Sequence, residues 1–158
     1  MSISQPQPVS ALLESMALIP QQIGAALVGR EVDWQRAPGD NEWNLTQVLC
    51  HLRDVEQEVH QPRFRQLIET DDVFIQGRDA DTWASPRQYH LQDGPQALAD
   101  YLQARSETLA LLRTVEAEKW DRKGQHAFFG ETSMHELFSM MIRHDQLHLE
   151  QIRALLTG

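Results

Sequence analysis

The 158-residue chain carries 14 Lys and Arg against 23 Asp and Glu, a net charge of −9 that opposes phosphate neutralisation and excludes nucleic acid as an expected partner. With 41% hydrophobic and 23% charged residues, and no apolar run near the ~18–20 residues of a membrane span, it reads as a globular protein with no membrane partner. The length fits a single domain over residues 1–158; the opening MSISQPQPVS has no basic-then-apolar leader and Cys50 has no intrachain partner, so the expected location is the cytoplasm.

The first helical pattern runs from Val9 to Leu27 through Leu12, Leu13, Met16, Ile19 and Ile23, with Pro20 expected to kink or restart it. Residues 30 to 41, with Pro38, Gly39, Asp40 and Asn41, read as a connection. Asn44 then caps a second helix, Gln47 reaches back from the third helical position, and Trp43 can staple onto Val48. Along it, Val48, Leu52, Val55 and Val59 form an apolar stripe with His51 at its buried edge. Pro62 should bend or end this helix.

From Glu69 to Asp93 no period holds, and the stretch reads as a long loop whose Phe74, Trp83 and Tyr89 cover a site or plug the surface. Gly94-Pro95 opens a third helix to about Val115, with Leu98, Leu102, Arg105, Leu109 and Leu112 on one row. Arg105 interrupts that row, either as a stem running along the core edge to water or as an anion contact near a site. Residues 116 to 130 read as a connection, and Ser133 with Glu136 forms a capping box for the last helix. No strand pattern of useful length is present, so the expected fold is all-α, a four-helix bundle with a long loop between its second and third helices.

On the last helix Leu137, Met141, His144, His148, Ile152 and Leu155 share a stripe, which turns both histidines inward. An H-x-x-x-H pair alone is weak, since seven histidines in this length give roughly 0.3 such pairs by chance. The position supplies the specificity. Three inward imidazoles, His51, His144 and His148, must each be desolvated and paired, and one shared metal ion is a simpler account than three separate buried hydrogen bonds. Three imidazoles leave a position open, the pattern of catalytic sites, and suit Zn, Ni, Cu or Fe.

Asp54 and Gln151, each three residues after a candidate ligand, can orient a ring or a bound water, or simply be exposed polar residues. His60 and His135 stand nine residues from His51 and His144, half a turn out of phase at about 100° per residue, and should face solvent. His90 and His126 sit in loops, His126 being the better placed to meet a substrate. Cys50 should be a small buried residue pointing away from the site.

The stretch Trp43-Asn44-Leu45-Thr46-Gln47-Val48-Leu49-Cys50-His51-Leu52-Arg53-Asp54, together with His144-Asp145-Gln146-Leu147-His148 and the loop pattern Asp81-x-Trp83, resembles the DinB/YfiT-like superfamily of metal-binding four-helix bundles. The resemblance implies that His51, His144 and His148 are the metal triad, holding a divalent transition metal such as Zn or Ni. It implies an enzyme acting on a small-molecule substrate, foremost a transferase using a low-molecular-weight thiol such as bacillithiol or mycothiol. The alternatives are a metal-dependent hydrolase or a non-catalytic, stress-related metal-binding or interaction module. It also implies a homodimer; the family name refers to DNA-damage induction and carries no DNA chemistry.

Overall fold

The computed structural model describes residues 6–157. Helix α1 (Val9–Leu27) runs through Pro20 without a break. Helix α2 (Leu45–Val55) starts on a complete capping box: the Gln47 N–H donates to Asn44 Oδ1, and the Asn44 N–H donates to Gln47 Oε1, both at 2.9 Å. A π turn over Glu56–His60 then leads into α3 (Gln61–Glu69), so the second rod of the bundle is a single path with a wide turn in its middle.

Helix α4 (Gly94–Arg113) begins on Asp93, whose carboxylate accepts the Gln96 N–H, so Gly94 rather than Pro95 is its first residue. Helix α5 (Met134–Thr157) opens on the expected box, with Ser133 Oγ accepting the Glu136 N–H and Glu136 Oε2 accepting the Ser133 N–H. Helix α2 packs along α4 and α5, and α1 packs along α4 and α5, which closes the four-helix bundle. Met16 and Ile23 from α1, Val48 and Leu49 from α2, Ala97 and Tyr101 from α4, and Phe138 and Ile152 from α5 are all fully buried in its core. Burial of each large apolar side chain contributes about 1.5–3 kcal/mol, which is what holds the rods together. Among the described residues no helix is long and apolar enough to cross a membrane.

The structure adds strands where the sequence pattern predicts only connections. Strands β1 (Phe74–Ile75), β2 (Lys123–His126) and β3 (Gly130–Ser133) form a small sheet in the order β1-β2-β3. Phe74 pairs with Gln125 in the parallel half and His126 with Gly130 in the antiparallel half. Lys-Gly-Gln-His and Gly-Glu-Thr-Ser have no apolar alternation, so pattern reading passes over them. Their pairing is set by the turn instead. Gly130 holds φ +72°, and a side chain at Gly124 would meet the Val73 carbonyl at 2.7 Å, so only glycine lets β1 lie this close. The sheet ties the long loop to the hairpin and brings His126 to the bundle mouth.

The π turn overturns the expected exposure of His60. The Gln61 N–H bonds the Glu56 carbonyl five residues back, so one extra residue is taken up before α3 begins. That slips the phase by about 100° and swings His60 inward, leaving it 9% exposed. His135 is half-buried, with Nε2 at 2.7 Å from the Gln7 carbonyl. It too departs from the solvent-facing expectation.

Candidate metal centre

His51 comes from the second turn of α2 and is buried at 1% exposure, with the Trp43 ring 5.0 Å away. Trp43 therefore lies against the candidate ligand, beyond the staple contact expected with Val48. His144 and His148 stand one turn apart on α5. They lie on the flank of its buried stripe rather than at its centre, which is occupied by Met141, Asp145, Leu149 and Ile152. Both are half-buried and open towards solvent.

The three Nε2 atoms converge. His144 Nε2 is 3.2 Å from His51 Nε2 and 3.1 Å from His148 Nε2. Nitrogens held about 2.0–2.1 Å from one ion at tetrahedral angles stand about 3.3 Å apart, so this set fits a single divalent ion. Hydrogen bonds fix the rings in the orientation that binding needs. The His148 Nδ1–H donates to Gln151 Oε1 at 2.8 Å and the His144 Nδ1–H to Asp145 Oδ1 at 3.0 Å, which turns both Nε2 lone pairs to the common point. His51 Nδ1 is buried with no hydrogen-bond partner among the described residues, and packing against Trp43 helps to orient that ring.

Burial keeps His51 and His148 neutral. Burial, reinforced by the His148 and His144 rings, pushes His51 down to about 3. Burial and then His144 also lower His148. Neutral imidazole is the ligand form, so an ion would displace few protons from these two rings near pH 7.

Behind His144 lies a buried charge cluster that sequence reading did not anticipate. Arg105 is 1% exposed; its Nε donates to Glu56 Oε1 at 3.0 Å, and its Nη2 donates to Glu56 Oε2 at 2.8 Å and to Asp145 Oδ2. Arg105 thus neither runs out to water nor meets an anion at the site, as either sequence reading required. Its charge is spent on two buried carboxylates, one of which holds a candidate ligand ring. Burial alone would raise the Asp145 carboxyl, but the Arg105 charge and the His144 hydrogen bond outweigh it and hold Asp145 well below the usual carboxylate range.

Asp54 also differs from expectation. Its carboxylate accepts from Arg53 Nε at 2.8 Å, Arg87 Nη1 at 2.8 Å and the Tyr89 hydroxyl at 2.6 Å. Arg87 bridges on to Glu58, and its guanidinium lies 4.0 Å from the Trp83 ring centre. Asp54 therefore anchors the loop of residues 69 to 93 to α2 and orients no histidine. Gln151 does orient one. Cys50 is buried, with Sγ 3.6 Å from Gln92 Oε1, and burial pushes its thiol up to about 11.

The open side of the triad gives onto a cavity of about 310 Å³. Val55, Val59, Phe64, Leu137, Met140 and Met141 form its apolar wall, His60 and His126 line it, and Arg63, Arg78, Asp79 and Asp81 add charge. Asp81, from a single 3-10 turn over Ala80–Thr82, places Oδ1 3.9 Å from His51 Nε2. His126 accepts the Phe128 N–H at Nδ1, so its ring proton sits on Nε2.

A four-helix bundle with three converging imidazoles at the mouth of an apolar cavity defines a class of histidine-centred metal-binding bundles. The family model of the DinB superfamily matches residues 26–152, and the chain belongs to that superfamily. Its fold is similar to that of YfiT from Bacillus subtilis, described as a probable metal-dependent hydrolase with an unusual four-helix bundle topology. The TM-score is 0.80 at 22% identity, over 98% of this chain and 88% of that one. No curated protein matches the chain.

Proposed function

We propose that this protein is a metal-dependent hydrolase of a small ester or amide, with His51, His144 and His148 as ligands through Nε2. The observation that carries the reading is the pairing of three convergent nitrogens with a carboxylate, Asp81, beside their open face. When bound, a divalent ion supplies Lewis acidity and lowers the pKa of a water or thiol placed on it. The chain's own residues do the rest. Asp81 Oδ1 takes the proton of the attacking water and returns it to the leaving group. The His126 Nε2–H donates to a polar group of the substrate, and the wall of Val55, Val59, Phe64, Leu137 and Met141 excludes bulk water around the reacting carbonyl. Family membership, and the description carried by the Bacillus relative, support the same direction.

A second reading, transfer of a low-molecular-weight thiol, is favoured by Arg63 and Arg78 on the same cavity, since two guanidiniums suit the carboxylates of such a thiol. The two separate in one experiment. Zn- or Ni-loaded protein is offered nitrophenyl esters and anilides in one panel, and bacillithiol or cysteine with a chloronitroarene in the other. Turnover in the first without added thiol supports hydrolysis; turnover only with thiol supports transfer. No turnover in either leaves the non-catalytic module.

Asp81→Asn tests the proton-transfer role. It should lower kcat on the order of a hundredfold or more while metal content stays unchanged. Loss of the metal in that variant would make Asp81 a ligand and remove it as the base.

A further inference from the structure

His60 is the one cavity histidine whose position comes from irregular backbone. The π turn over Glu56–His60 interrupts an otherwise regular rod, and such turns concentrate at functional sites because they re-aim a side chain at a cost in backbone regularity. Here the turn delivers His60 to the cavity wall, its ring centre 5.9 Å from that of His144. The side chain is 9% exposed, and its Nε2 is buried with no hydrogen-bond partner among the described residues. A buried polar atom left unbonded costs about 1–3 kcal/mol, and a small rotation of the ring towards the cavity it lines would let a ligand recover that cost by bonding it.

His60, His144 and Asp145 also have ligand atoms within 4.8 Å of one another. A second ion there is disfavoured, because Asp145 is already engaged by Arg105 and by the His144 Nδ1–H. The remaining use for His60 is contact with whatever occupies the cavity. The wall beside it is formed by Val55, Val59, Phe64, Leu137 and Met141, which suits an alkyl chain of a few carbons.

We infer that His60 is a substrate-contacting residue: its Nε2–H donates to the oxygen of a carbonyl-type ligand seated on the open side of the triad, with the ligand's alkyl chain against the apolar wall. The inference rests on the metal-dependent reading above and adds a substrate class to it, a short-chain apolar acyl compound.

The test uses untagged full-length protein loaded with Zn(II), titrated calorimetrically with acetohydroxamate and with hexanohydroxamate. Three proteins are compared: wild type, His60→Leu, which fills the space without a donor, and His60→Gln, whose amide nitrogen reaches near the Nε2 position. All three should hold one Zn(II). Wild type should bind hexanohydroxamate at least about tenfold more tightly than acetohydroxamate, from the added methylenes. His60→Leu should weaken both by about tenfold and His60→Gln should restore most of the loss. If Zn(II) binds but the affinities are indifferent to His60, or to chain length, this inference alone fails. A second Zn(II) equivalent, lost in His60→Leu, would make His60 a metal ligand and also overturn it. No Zn(II) uptake by wild type would overturn the inference and the functional reading together.

Discussion

Replacing His144 by Ala is expected to lower Zn(II) affinity on the order of a hundred- to a thousandfold while leaving the fold intact. His144 Nε2 stands between the other two nitrogens, at 3.2 Å from His51 Nε2 and 3.1 Å from His148 Nε2, so its loss leaves a pair without a centre. Four-ligand zinc sites bind with about 10–16 kcal/mol, which assigns roughly 3–4 kcal/mol to each ligand and hence two to three decades of affinity. The side chain is 31% exposed, so the cavity left by truncation opens to water and costs little stability. Competition against a chromophoric chelator reads the affinity, and thermal melting of the chelated protein reads the fold. Affinity within threefold of wild type would remove His144 from the ligand set.

Arg105→Ala is expected to be the most destabilising single change in the bundle, by about 3–5 kcal/mol, lowering Tm by roughly 10 °C. The guanidinium is 1% exposed, while Glu56 and Asp145 beside it are each 1% exposed. Truncation leaves two buried carboxylates facing each other without a cation. Lysine should rescue only in part, because it cannot reproduce the Nε and Nη2 fork onto Glu56.

A second effect reaches the site. Asp145 accepts the His144 Nδ1–H, and loosening such a partner lowers metal affinity about 10- to 100-fold. The pH dependence follows from the depressed Asp145 pKa. Its contribution is complete above the unfolded carboxylate pKa of about 3.9 and is lost as pH falls further, through the folded value. Melting of chelated protein separates the fold effect from the metal effect; a Tm within about 2 °C of wild type would contradict the account.

The bundle was legible because its rods obey simple rules. The Asn44–Gln47 and Ser133–Glu136 boxes mark helix starts in sequence and close as hydrogen bonds in the structure. His51, His144 and His148 could be brought together by phase alone, since α2 and α5 are regular where they carry them. Phase failed at His60, because a π turn changes the residue count per turn and nothing in Glu-Gln-Glu-Val-His announces one.

Arg105 was visible as a cation on an apolar row, but its partners were not. Glu56 sits four residues after Leu52, and Asp145 four after Met141, each continuing a buried row on a facing helix. An arginine in one core row calls for acids in the rows it faces, a signal that emerges only when the rows are compared. Asp54 was misplaced for a different reason: its partners Arg87 and Tyr89 come from the irregular loop, whose path no periodicity fixes. The strands escaped notice because the turn at Gly130 and the close approach at Gly124, rather than apolar alternation, set their pairing.

On the proposed reading, three imidazoles share one ion and leave a side of it open to the cavity. X-ray absorption at the zinc edge of untagged, Zn-loaded protein tests it most directly, with His51→Ala as the comparison. The expected result is one ion per chain with three imidazole nitrogens at about 2.0–2.1 Å and at least one oxygen, falling to two nitrogens in the variant. A shell filled wholly by protein groups, or one unchanged by His51→Ala, would contradict it.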